Sequence, residues 1–265
     1  MRRFLGLAVA FGAGLGAAKL TQWKPVSSEQ QSSGHQHDHH HHQHTPGSKM
    51  TLKGHVLDMG ARMAGHFAPV NTIHQHVCGF HFYSGDMTRQ LIAHHYCSHI
   101  NQDVRQCVIY DSDRPDARLI GVEYIISEEL FNQLPAEEKK LWHSHVYEVK
   151  SGTLVTPGVP DVAEREVMKE LIHTYGKTFH TWQIDRGDPL PLGVPQLMMA
   201  FNQDGQLNPE LVRQRDEYYK ISAEEKKRSR ADIQTPAVNK DADAWSKSGK
   251  AVQVTITESK MKLVK

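Results

Sequence analysis

The sequence predicts an α+β fold: one globular domain over residues 51–265, in which an antiparallel or mixed sheet carries helices packed on it. Three observations predict it. Five segments carry strand-like apolar patterning, helix-start signals lie among them, and the two kinds do not alternate with the regularity of βαβ units. The roughly 215 residues behind the leading region suit a single domain with its own core.

The expected strands are Val77–Tyr83, Val104–Tyr110, Leu119–Ile126, His145–Val149 and Ala251–Thr257. The last has the cleanest alternation, with Val252, Val254 and Ile256 on one face and Gln253, Thr255 and Thr257 on the other. Asp161 and Glu164 have capping-box spacing ahead of Val167, Met168, Leu171, Ile172, Tyr175 and Phe179, which predicts one helix through all six. Asn208 before Pro209 reads as an N-cap and first helical position, and Ser222 with Glu225 as a second capping box. Ser127 opens a further helical stretch that Pro135 interrupts.

Residues 1–23 form a signal-like or anchor segment. Arg2 and Arg3 precede an apolar run from Phe4 to Ala18 closed by Lys19, the layout of a secretory signal. A transmembrane anchor and an organellar presequence are the alternatives, so the protein is expected to be exported or membrane-associated. The anchor is disfavoured by the shortness of the run and by Gly12, Gly14 and Gly16. Residues 24–50 are too polar to bury and read as a disordered linker. It contains a loose chelating tract, in which His37, His39, His40, His41, His42 and His44 offer imidazoles to Zn, Ni or Cu ions. An exported metal buffer acting through this tract is one functional reading.

Lys plus Arg number 31 against 30 Asp plus Glu, so no broad positive field exists to neutralise phosphates, and nucleic acid is not an expected partner. A nucleotide cofactor is not expected either, because no Gly-rich phosphate loop is present. There is no G-x-S-x-G elbow, H-E-x-x-H or C-x-x-C, and hence no specific catalytic signature. Cys78, Cys97 and Cys107 permit one disulfide and one leftover thiol, with the pairing open. The stretches Asp111–Pro115 and Asp185–Pro189 have the composition of turns.

Histidines supply the candidate chemistry. In Trp142-His143-Ser144-His145 the i, i+2 spacing sends both rings to one strand face, with Tyr147 following on it. His95 and His99 share a face whether their segment is extended or helical, and in the extended case Cys97 adds a thiolate between them. If the fold joins these segments, His95, His99, His143 and His145 suffice for a divalent transition metal such as Zn. Glu123 on an apolar strand and Glu148 near the His pair read as acids or paired charges.

Long motifs then carry a resemblance. Cys78-Gly79-Phe80-His81-Phe82-Tyr83, Ala93-His94-His95-Tyr96-Cys97-Ser98-His99, Val104 through Asp113, Leu141-Trp142-His143-Ser144-His145, Pro191-Leu192-Gly193-Val194-Pro195 and Leu197-Met198-Met199 occur in the order of the oil body-associated protein family. The chain resembles that family from about Thr51 to near its C-terminus. The resemblance implies association with lipid storage bodies, as for plant members, and leaves the molecular activity undefined. A peripheral lipid- or membrane-interface protein is therefore the expected function, with a metal-binding protein or metal-dependent enzyme as the alternative. Lipid contact would run through exposed apolar patches or an amphipathic helix.

Overall fold

The computed structural model describes residues 45–264. In chain order the elements are α1 (Leu52–Ala64), α2 (Ala68–Asn71), β1 (Gln75–Tyr83), β2 (Asp86–Asn101), β3 (Val104–Tyr110) and β4 (Leu119–Ser127). Next come α3 (Glu128–Gln133), α4 (Ala136–Lys139), β5 (His143–Ser144), α5 (Val146–Lys150), α6 (Asp161–Leu171), β6 (Thr174–His180) and β7 (Gln196–Met199). The helices α7 (Pro209–Tyr219), α8 (Ala223–Ser229) and α9 (Ala244–Ser248) complete them.

The sheet runs β4-β3-β2-β1-β7-β6-β5, and β4 also pairs with β6 from Gly121↔His180 to Ser127↔Thr174, which closes it into a barrel. Every pairing between these strands is antiparallel. Because side chains alternate across a strand, β1 sends Val77, His81 and Tyr83 to one side and Cys78, Phe80 and Phe82 to the other. Val77 joins an apolar cluster with Val149, Met168, Leu171 and Ile172 from the α5–α6 region, while Tyr83 joins Leu91, Ile109, Ile120 and Met198. His81 lies between these two apolar ends. On the opposite side, Phe80 and Phe82 pack with Leu197, Met199 and Phe201 beneath Leu211 and Val212 of α7.

Several expectations hold in detail. The β3 strand spans the expected residues, Asn208 caps α7 by accepting from Glu210 N, and Ser222 caps α8 by accepting from Glu225 N. Ser127 caps α3, and Pro135 separates α3 from α4. The turn reading of Asp111 also holds, since its carboxylate accepts from Arg118 N and Nε.

Four expectations are corrected. His145–Val149 is not a strand: only His143–Ser144 is extended, and Val146 and Val149, spaced for one helical face, turn onto the α6 cluster. The predicted single helix stops at Leu171, and Tyr175 and Phe179 belong to β6, where an i, i+4 spacing is also one strand face. Asp161 and Glu164 do not form a capping box; Glu164 accepts from Thr156 N, and Lys226 bridges both carboxylates. Ala251–Thr257 forms no strand and joins no edge of the sheet. Val252 and Ile256 stay exposed, and the segment is held through Ser84, which donates to Val252 O and accepts from Gln253 Nε2.

The expectation of a membrane protein is corrected as well: among the described residues no helix is long and apolar enough to cross a bilayer. The signal-like segment 1–23 and the tract from His37 to His44 lie outside the described residues.

Candidate metal centre

Five side chains from distant parts of the chain meet inside the barrel: His81 of β1, His95 of β2, Glu123 of β4, His143 of β5, and His145 at the start of α5. Small residues make the room. Gly79 pairs with Ala93 between the two histidine strands, so the rings of His81 and His95 close over that pair with centroids 4.9 Å apart. Gly176 of β6 pairs with both Ile125 and His143. A Cβ at Gly176 would stand 2.6 Å from His143 Nε2 and closer still to Glu123 Oε1, so only glycine leaves this space to the cluster.

Glu123 is the hub. Its Oε2 lies 2.9 Å from His95 Nε2, and its Oε1 lies 3.3 Å from His143 Nε2 and 3.4 Å from His145 Nε2. These spacings match those between ligands on one ion, about 3–4 Å for bonds near 2.1 Å. The ring protons are fixed from behind. His95 Nδ1 is 3.2 Å from the carbonyl of Val77, which only accepts, so Nδ1 carries the hydrogen. His145 Nδ1 is 2.8 Å from Thr174 Oγ1, whose own proton goes to Leu171 O, so here too Nδ1 donates. With Nδ1 satisfied from behind, each Nε2 faces a Glu123 oxygen: a protonated ring donates to it there, and a deprotonated Nε2 would offer the same lone pair to a cation held against the carboxylate. Neither ring nitrogen of His143 makes a hydrogen bond, although its side chain is fully buried.

The electrostatics agree. Burial alone would raise the Glu123 carboxyl, but the imidazoles of His95, His143 and His145 outweigh it and hold the group well below the usual carboxylate range. Burial lowers His81 well below 6.5 and also lowers His145, despite the pull of Glu123 on both. Glu148, one turn beyond His145, is pushed well above the usual range by burial and by the negative charges of Glu123 and Asp243, and its Oε2 has no hydrogen-bond partner. Burial raises Asp243, which accepts from Ser144 N, to about 6. Behind the cluster His81 Nδ1 meets His180 Nε2 at 3.2 Å, and burial takes His180 down to about 3. A cavity of about 20 Å³, room for roughly one water-sized sphere, is lined by His81, His95, Glu123, His145 and Glu148, with Arg105 also on its wall.

Of the four histidines expected to converge, His95, His143 and His145 lie on Glu123, whereas His99 is exposed and stands against His74 with ring centroids 5.3 Å apart. The register shift between His99 and Asn101 marks where the β2 pairing becomes irregular at the barrel rim. Cys97 offers no thiolate, because it faces Cys107 across the β2–β3 ladder and forms a disulfide with it. Cys78 is the free thiol, buried and raised by that burial to about 12. Tyr147 does not follow the His pair: the helix turns it outward and its hydroxyl donates to Asp204. His81 and His180 were not singled out from the sequence, yet each lies on an inward strand position, two residues from Gly79 and from Thr178.

A family model described as "Protein of unknown function (DUF1264)" matches residues 67–234. Oil body-associated protein 1B of Arabidopsis thaliana is 50% identical over 191 residues, covering 72% of this chain and 79% of that protein. Oil body-associated protein 1A of Zea mays is 52% identical over 64% of this chain and 71% of its own length. Oil body-associated protein 2A of Arabidopsis thaliana is 42% identical over 89% and 97% respectively. No solved structure matches. With this identity carried across most of both partners, the chain belongs to the oil body-associated protein family.

Proposed function

We propose that the protein binds a divalent transition metal inside its barrel, through Glu123 and the Nε2 atoms of His95, His143 and His145, with His81 at the same centre. The observation that carries this is the pair of imidazoles, His95 and His145, each held by its Nδ1–H so that its Nε2 faces the ionised Glu123. A set of imidazoles with one carboxylate suits Zn, Fe, Cu or Ni rather than Mg or Ca, and Zn is the ion named here. Metal analysis tests it on the full chain, with the histidines of the 35–44 tract replaced by Asn so that they cannot imitate a site. Stoichiometric Zn is expected, lost in Glu123→Gln and His145→Ala. Sub-stoichiometric metal, indifferent to both substitutions, would refute the reading.

A second reading has its own observation. Leu52, Val56, Met59 and Met63 recur at four- and three-residue spacing along α1, no residue of α1 is buried, and the relatives are named for oil bodies. We propose that α1 lays this face on the monolayer of a lipid body as a peripheral contact, behind an addressing segment 1–23 and a tether 24–50. The full chain should float with phospholipid-coated triacylglycerol droplets, and Val56→Asp with Met59→Asp should return it to the aqueous fraction. Flotation unchanged by that pair would remove α1 from the reading.

A further inference from the structure

We propose that this centre takes two divalent ions rather than one, the first between His81 and His95, the second between His143 and His145, with Glu123 bridging them. The inference rests on the metal-binding reading and adds the number of ions and the division of ligands. It starts from how the donor atoms group. Those of His81, His95 and Glu123 lie within 4.8 Å of one another, as do those of Glu123, His143 and His145, and the two groups share only Glu123. Around a single ion with bonds near 2.1 Å even opposite donors stand only about 4 Å apart, so one ion would gather all five into one group.

The carboxylate is turned to suit both groups. Oε2 addresses His95 at 2.9 Å, while Oε1 addresses His143 at 3.3 Å and His145 at 3.4 Å. A carboxylate bridging through both oxygens holds ions roughly 3.5–4 Å apart, the usual separation in two-metal sites. One cavity, lined by His81, His95, Glu123, His145 and Glu148, touches ligands of both halves, and the missing side chain of Gly176 leaves Glu123 Oε1 and His143 Nε2 free to stand together.

Glu148 lines the same cavity and its buried Oε2 lacks a partner, so it is the spare ligand of the pair.

The test loads the chelator-stripped full chain, its 35–44 tract histidines replaced by Asn, with Co²⁺, counts bound metal after desalting and follows the electron paramagnetic resonance signal. Two ions per chain are expected, with a signal that grows through the first equivalent and is attenuated by magnetic coupling through the second. His95→Ala and His143→Ala should each retain one uncoupled ion. One ion per chain, with a full signal at saturation, would overturn the two-ion proposal and leave the metal-binding reading standing. No bound ion would overturn both. The count on the chain with native ligands decides even if a ligand variant fails to fold.

Discussion

Gly176→Ala adds a single methyl group, and the structure says where it lands. The new Cβ would stand 2.6 Å from His143 Nε2, so that nitrogen must retreat by about 0.8 Å to reach the 3.4 Å at which ordinary contact begins, and Glu123 Oε1 must move further. Metal ligands tolerate only about 0.2 Å of displacement. A disturbance of this size is expected to weaken Zn binding by roughly 10–100-fold, the scale seen when a ligand's support is lost. At the upper end that is about 2.7 kcal/mol of metal-linked stabilisation, or roughly 5–10 °C in the unfolding midpoint of a domain this large. The metal-free protein should change less, because overpacking of about 1–3 kcal/mol is partly offset by the stiffer unfolded chain. The assay is thermal unfolding with and without Zn, beside Gly60→Ala on exposed α1, whose Cβ meets nothing within 4 Å. An unchanged metal-dependent increment in Gly176→Ala would refute the argument that this glycine reserves space for the centre.

Acid should unfold the metal-free chain early. His81, His145 and His180 are buried and held below 6.5, so the unfolded state binds more protons as pH falls through 6.5 and stability drops with it. Each imidazole still neutral at pH 5 costs about 2 kcal/mol there, and denaturant titrations at pH 7.5 and pH 5 that agree would contradict the assignment. Bound Zn should be released over the same descent, since its ligands must be neutral; equilibrium dialysis across pH 7.5 to 4.5 measures it. Reducing the Cys97–Cys107 disulfide, which closes a short loop across adjacent strands, should cost roughly 2–3 kcal/mol, read as a lower urea midpoint in dithiothreitol.

The sequence made the strands legible wherever apolar alternation was backed by neighbours on both sides, as in β3 and β4. It misled where a short period fits two structures. Tyr175 and Phe179 are four apart, which is one helical face and one strand face alike, and only the pairing of β6 with β4 decides between them. Val252, Val254 and Ile256 alternate well, but alternation says which face wants covering and cannot say whether a partner edge exists. In the site, His143 and His145 stood out by spacing, and Glu123 as a carboxylate on an apolar strand. His99 was grouped with His95 because both lie on one face of β2, and they do, but four residues along the strand carry His99 out to the exposed rim, past the buried centre. His81 escaped notice because its ring reaches the cluster across Gly79 and Ala93, a pairing that belongs to the β1–β2 register and is absent from either segment alone.

Barrel closure dictates when the centre can exist during synthesis. The five donors are all translated by residue 145, yet the wall around them closes only when Thr174 to His180 pair with β4 and Gln196 to Met199 then join β6 to β1, and Thr174 itself orients His145. A ribosome-bound chain ending at residue 160 would carry every ligand and no vessel to hold them. Capture of the proposed ion would thus be a late event, and its retention would report that the last strands have joined.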